Sequence, residues 1–252
     1  MSIALILVIT LYVLKSFAWK KAALLALLVL SLFLPQKAVE AHYASAMDME
    51  FENSEPTLLW VAMGMQDGPR APGWWNQYNC DTFADCAYDP QKASAVARAD
   101  IADRLCHFAS FPEEALVFYS HKIKTTWCEP TFQSIWSGPI ITCGQNTYTQ
   151  ITRSIYENGV LYRLIYLVCD VLEVDILLFS LIWLTRQKSE RLSVLTLLPV
   201  IYLMGGFLFH IFWETKSQYV YMYIFFLIPL AAKGAAMTQV QLEERLRRSK
   251  AT

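Results

Sequence analysis

The sequence predicts an all-α polytopic membrane protein, with about five transmembrane helices and a mostly helical extracytoplasmic domain. Three observations predict it. Of 252 residues, 55% are hydrophobic and only 17% charged, a balance outside that of ordinary soluble domains. The apolar runs lie toward both ends of the chain, and most of the charge lies in a long central stretch. No alternation of period two extends over any length, so strands are not expected. A formal net charge of −1 with no basic patch excludes nucleic acid as an expected partner.

The chain opens on two short apolar segments, 3–14 and 22–34. Each falls short of the roughly 20 residues a membrane-crossing helix needs, and Lys15, Trp19 and Lys20 extend them by anchoring and snorkelling. Together they predict a transmembrane hairpin over 1–35. A signal peptide is the rival reading, with 22–34 as its apolar region and Ala44-Ser45-Ala46 as a small-residue cleavage site. The hairpin alone accounts for the apolar run before the lysines. A chain that enters an apolar run at its second residue also leads us to expect an N-terminal truncation.

Residues 36–158 form the expected extracytoplasmic domain. Residues 36–56 are polar and acidic (Asp48, Glu50, Glu52, Glu55) and read as a loop; 57–65 is apolar but too short to span. A turn-rich segment follows, containing Gly68-Pro69, Pro72-Gly73 and Trp74-Trp75-Asn76. Paired tryptophans beside an amide can stack on a sugar ring and bond its hydroxyls, or cap a small core, or sit at the lipid interface. Asp89-Pro90 opens a helix to about Phe108, with Val96, Ala97, Ile101, Leu105 and Phe108 on its apolar side. Pro112-Glu113-Glu114 opens a second, ending near Trp127, with Leu116, Tyr119 and Ile123 inward. A short third helix is expected over 130–136, stopped at Gly138-Pro139. Five of the six cysteines (Cys80, Cys86, Cys106, Cys128, Cys143) fall in this domain, where disulfides are permitted, with Cys80–Cys86 the nearest pair.

Three further spans are expected within 159–236: 160–184, 192–213 and 218–236, followed by a basic cytoplasmic tail over 237–252. Lysines and arginines cluster between the first two segments, at Arg186, Lys188 and Arg191, and at Arg245, Arg247, Arg248 and Lys250. These regions alternate correctly for one cytoplasmic side, which places 36–158 outside; that stretch holds 15 acidic and 8 basic residues and has no inward bias. The protein is therefore expected in the cell membrane as a multi-pass protein, with the lipid bilayer as a partner. The third span carries Arg163, Asp170, Glu173 and Asp175. Ionisable groups at that depth face a bundle or a wet cavity, so they are functional candidates, with mutual pairing as the structural alternative.

Between the last two spans runs a polar turn, Glu214-Thr-Lys216-Ser-Gln218-Tyr219, after Gly205-Gly206 and before Pro229. It reads either as a ligand site at headgroup depth or as an ordinary interfacial turn with belt aromatics. His210, one turn before Glu214, shares its face or serves as a packing residue. No dinucleotide fingerprint, P-loop, nucleophile elbow, HExxH or zinc-type Cys/His spacing is present, and neither a metal site nor a cofactor is identified.

Three stretches resemble a known family. They are Glu55-Pro56 to Trp60 and Met63-Gly64-Met65 with Gly73-Trp74-Trp75-Asn76; Ile101 to Arg104-Leu105 with Phe118 to Lys122 and Trp127; and the Glu214–Tyr219 turn with Pro229. The pattern is similar to the C-terminal part of bacterial multi-pass glycosyltransferases of the GT-C superfamily, in the family-39-like, protein-mannosyltransferase-related group. The resemblance implies transfer of a sugar from a polyprenyl-phosphate donor to an extracytoplasmic acceptor, and the full-length family leaves room for a divalent metal. It makes Lys216 the phosphate contact, Glu214 its orienting partner, Tyr219 a sugar or headgroup contact, and Trp74, Trp75 and Asn76 acceptor or sugar contacts. Gln218 stands where the signature has arginine, so Lys216 must supply the charge. None of Asp48, Glu50 or Glu52 sits where the superfamily carries its acidic base, so no catalytic base is named and activity is expected to require the missing spans. The competing class is a non-enzymatic multi-pass membrane protein, either a transporter subunit built around Asp170, Glu173 and Asp175 or an envelope scaffold. The sequence carries no signal for oligomeric state.

Overall fold

The computed structural model describes Thr10 and residues 19–48, 54–135, 149–187 and 193–251, and within them every regular element is a helix. In chain order these are α1 (Trp19–Met47), α2 (Thr57–Gly64), α3 (Tyr78–Asp85), α4 (Pro90–Ser110), α5 (Pro112–Trp127), α6 (Gln150–Tyr156), α7 (Val160–Arg186), α8 (Val194–Phe212), a 3-10 turn (Ser217–Tyr219), α9 (Tyr221–Phe225) and α10 (Ile228–Ala251). Two compact units interleave along the chain: Met1–Lys122 with Val194–Thr215, and Ile123–Ser193 with Lys216–Thr252. Of the expected segment 3–14 all but Thr10, together with Glu50 and Glu52, Trp136, Gly138-Pro139, Cys143, Lys188 and Arg191, lie outside the described residues. The expected third short helix over 130–136 is corrected: residues 130–133 form a turn, with Phe132 and Gln133 at φ 49° and 58°, and among the described residues only 134–135 are helical.

In the first unit, α1 corrects two expectations. It does not stop at residue 34, and 36–56 is not a loop throughout, because the helix runs on through Pro35 to Met47. Proline removes one rung of the helical ladder. Downstream, Gln36 Nε2 donates to Glu40 Oε1 at 2.9 Å and Lys37 Nζ meets Glu40 Oε2 at 2.6 Å. Such pairs at i,i+4 and i,i+3 favour the helical state in a polar stretch. Leu25–Met47, with a mean hydropathy of 1.3, is the one stretch among the described residues long and apolar enough to cross a membrane; the apolar part of α8, Thr196–Phe212, is shorter.

The core of this unit forms where α2 lies on α4, with Leu59, Ala62, Ala93 and Ala97 buried. The apolar segment 57–65 is thus an internal helix, with Leu59 and Met63 wholly inaccessible. Asp89 caps α4 as expected, its carboxylate accepting from the Gln91 and Lys92 N–H groups at 2.9 and 3.1 Å. A second apolar cluster joins Met65, Phe108 and Phe118. Arg104 lies against it, its guanidinium 4.4 Å from the Phe108 ring centre while Nε donates to the Met65 carbonyl at 2.8 Å.

The expected apolar faces need correction. On α4, Val96 and Leu105 are exposed, and the buried positions are Ala93, Ala97 and Phe108. On α5, Leu116 is 69% exposed. The packed row there is Phe118 and Lys122, spaced i,i+4, because an aromatic and a long aliphatic stem fill the space.

In the second unit, α7 and α10 make the principal pairing. The backbones touch at Gly234, where an added Cβ would stand 1.9 Å from the Phe179 carbonyl oxygen. Trp183, Leu230 and Ala231 are buried, and Lys233 extends its ammonium to 5.4 Å from the Trp183 ring. The expected span 218–236 is not one helix. It divides into the 3-10 turn, α9, a bend and α10. The cause is Pro229, which lacks an N–H and whose ring opposes the carbonyl of Phe225, the last residue of α9. Ser180 Oγ of α7 donates to the Leu227 carbonyl in the bend at 3.3 Å. From there α10 continues through the expected tail as helix to Ala251. Among the described residues no cysteine is in a disulfide; Cys80 and Cys86 are both free thiols.

Glycine to alanine inside a helix ordinarily stabilises by about 1 kcal/mol. At Gly234 the sign reverses, because the new methyl group meets backbone. We expect Gly234→Ala to cost about 1–3 kcal/mol, read as a lower thermal midpoint of the full chain in detergent with faster hydrogen exchange in α7 and α10.

Candidate functional site

The most enclosed charged side chain among the described residues of the first unit is Lys122, 1% exposed. Its position four residues after Phe118 carries it into the core on the packed face of α5. The ammonium donates to the carbonyls of Gly64, Ile211 (2.8 Å) and Trp213 (2.9 Å). Gly64 closes α2, and Ile211 and Trp213 lie at the C-terminal end of α8, so one cation takes up the negative ends of two helices. Two glycines admit it. A Cβ on Gly64 would come 2.3 Å from the Phe212 carbonyl oxygen, and one on Gly73, at φ +71°, 2.6 Å from Lys122 Cε. The Glu214 N–H donates to the Trp60 carbonyl at 3.1 Å and the Thr215 N–H to that of Gly73 at 2.9 Å. Burial pushes the Lys122 ammonium down to about 7, and the Glu214 carboxylate pulls it back up.

The second unit has an open groove of about 470 Å³. Phe132, Leu172, Tyr221 and Phe225 supply apolar walls, and Thr131, Ser134 and Gln218 supply polar lining. Lys216 opens the 3-10 turn that carries Gln218, with its ammonium 5.7 Å from the Tyr219 ring centre. A cation two residues before the Gln218 that lines an apolar groove is of the kind that can take an anionic head joined to a hydrocarbon chain.

The residues anticipated at the polar turn are divided by the structure. Glu214 and His210 are buried in the first unit, where Glu214 acts on Lys122. Lys216, Gln218 and Tyr219 belong to the second unit, with Tyr219 exposed. The amide of Asn76 holds a turn: Nδ2 donates to Gln66 Oε1 and Oδ1 accepts from the Tyr78 N–H, both at 3.0 Å. Trp74 and Trp75 are half-buried, and the Trp74 indole N–H is buried without a hydrogen-bond acceptor among the described residues. On α7, Glu173 is buried, Asp175 half-buried, and Arg163 and Asp170 exposed; no ion pair joins them among the described residues. No group of three or more His, Cys, Asp or Glu side chains among the described residues is placed to hold a metal ion.

The chain matches no family model, and neither the curated proteins nor the solved structures include one similar to it.

Two residues that organise these sites were not singled out from the sequence. Lys122 had a local signal, since it stands four residues after an aromatic on an otherwise packed face. Glu129 lies two and four residues before its partners Thr131 and Gln133, but its third partner, Ser217, is 88 positions away and is joined to it only by folding.

Replacing Lys122 by methionine leaves three carbonyls and the Glu214 carboxylate buried without the ammonium, and we expect a loss of about 3–5 kcal/mol near neutrality. The pH dependence carries a sign. Unfolded, the lysine keeps its proton to about 10.5; folded, it releases it at about 7. Across that window the unfolded chain binds more protons, so stability rises with pH, and below it this contribution is flat. Thermal unfolding of the wild type against Lys122→Met should show that rise only in the wild type.

Proposed function

We propose that this chain works in the cell membrane as part of a GT-C-type glycosyltransferase, holding a polyprenyl-phosphate sugar donor for transfer to an extracytoplasmic acceptor. The observation that carries the reading is the groove beside the Lys216–Tyr219 turn. Its Phe132, Leu172, Tyr221 and Phe225 walls suit an isoprenoid chain, and Lys216 suits the phosphate at its head. Gln218 lines the groove as a neutral hydrogen-bonding group, which leaves the phosphate charge to Lys216.

Support for several spans comes from exposed apolar side chains. Leu164, Leu167, Val168, Val171, Leu172 and Leu178 of α7 all face outward. Each side chain of this kind forgoes roughly 1.5–3 kcal/mol if left in water, which favours lipid around it. The arrangement proposed has Leu25–Met47 of α1, 159–186 and the apolar parts of α8 to α10 in the bilayer and 48–158 outside. A second reading rests on the buried Glu173 of α7, beside Asp170 and Asp175, and makes the chain a non-enzymatic transporter subunit.

Binding of farnesyl phosphate to the full chain in detergent separates the two. Loss of a charge-assisted contact is worth about 1.5–3 kcal/mol, so Lys216→Ala should weaken binding about 10- to 100-fold. Unchanged binding moves the assignment to the transporter reading. Topology has its own measurement: the exposed thiols of Cys80 and Cys106 should react with a membrane-impermeant maleimide on intact cells. Labelling only after lysis would overturn the placement of 48–158 outside.

A further inference from the structure

We infer that Glu129 is the positioning residue of the groove, its carboxylate tying together the two turns that contribute to its wall. The ligand class named in the test rests on the reading above; the positioning role does not.

Glu129 follows the end of α5 by two residues. Its Oε1 accepts from the Thr131 N–H at 3.2 Å and from the Thr131 hydroxyl. Its Oε2 accepts from the Gln133 N–H at 2.7 Å and the Ser217 hydroxyl at 2.8 Å. A carboxylate offers about four lone-pair sites, and all four are engaged. Three of these donors come from one turn, 131–133, and the fourth from the 3-10 turn that carries Gln218.

The first turn needs such a clamp. Phe132 and Gln133 are successive non-glycine residues at φ 49° and 58°, in the left-handed region that L side chains avoid. Two adjacent residues stay there only where surrounding bonds over-determine the conformation. The result is the placement of Phe132, whose ring lies 6.2 Å from Tyr221 and 6.2 Å, edge-on, from Phe225. The same carboxylate thus fixes the aromatic wall and, through Ser217, the turn that presents Lys216, Gln218 and Tyr219. A neutral amide at position 129 would turn an N–H toward donors that need an acceptor. The proposal therefore predicts that charge at this position, rather than bulk, sets the shape of the groove.

The test uses the full chain in detergent with Glu129→Gln, Glu129→Asp and Ser217→Ala. In Glu129→Gln, hydrogen exchange should accelerate at least about tenfold in peptides covering 129–134 and 216–221, while α7 and α10 keep wild-type protection. Ser217→Ala should accelerate 216–221 alone. Farnesyl phosphate affinity should fall about tenfold in Glu129→Gln and recover in part in Glu129→Asp, which keeps the charge. Wild-type exchange at both turns in Glu129→Gln would overturn the inference, as would loosened turns with wild-type affinity. If Glu129→Gln fails to fold, Ser217→Ala decides: faster exchange confined to 216–221 supports the tie, and unchanged exchange removes it. If the wild type itself binds no farnesyl phosphate, the function reading falls while the exchange pattern still judges the positioning role.

Discussion

The constraint on which the first unit depends is the burial of one ammonium among backbone carbonyls. Lys122 closes α2 and α8 together by answering carbonyls that helix ends leave without intrahelical donors. Methionine in its place would leave those oxygens without the ammonium, and a side chain on Gly73 would meet the lysine stem. Desolvation opposes the charge, and Glu214 with the carbonyl dipoles favours it; the lowered proton affinity of Lys122 records that contest. The neighbouring backbone bonds from Glu214 to Trp60 and from Thr215 to Gly73 lie in the same small volume, so the loop through Gly73 and the chain leaving α8 share one anchor.

The second unit solves a related problem with the opposite charge. There the difficult backbone is a turn with two successive left-handed residues, and its N–H groups gather on the Glu129 carboxylate. In both units a single ionised side chain satisfies several backbone groups at a chain reversal. Around it, helix pairing supplies the bulk: α7 lies on α10 at the closest distance a glycine permits, and Pro229 sets where the last apolar run bends. These choices place Gln218, Tyr221 and Phe225 around one groove and keep Lys216 on the turn beside it.

The apolar surface of the structure bears on function as much as the groove does. Among the described residues the most apolar stretch of the 29-residue α1 has no buried side chain, and the 27-residue α7, although one face pairs with α10, carries leucine and valine outward elsewhere. The bilayer placement proposed above would cover both. The buried and half-buried acids of α7 then sit beside apolar surface, which is why a transporter reading stays attached to the same helix.

The sequence by itself determined the helical class, the positions of α4, α5, α7 and α8, and the cap that depends on residues adjacent in the chain. Asp89-Pro90 is the clearest case, since both its capping carboxylate and its ring act within one turn of helix. Tertiary structure decided the faces. Leu116 was expected inward from its hydrophobicity alone, yet the space beside α5 is filled by Phe118 and the stem of Lys122. It decided also that Glu214 serves Lys122. The helix over 36–47 is a different case, since its Gln36, Lys37 and Glu40 contacts are local pairs four and three residues apart. Local spacing specifies periodicity and termini. It does not specify which carbonyls a distant ammonium will meet, because that meeting joins residues 58 and 91 positions apart.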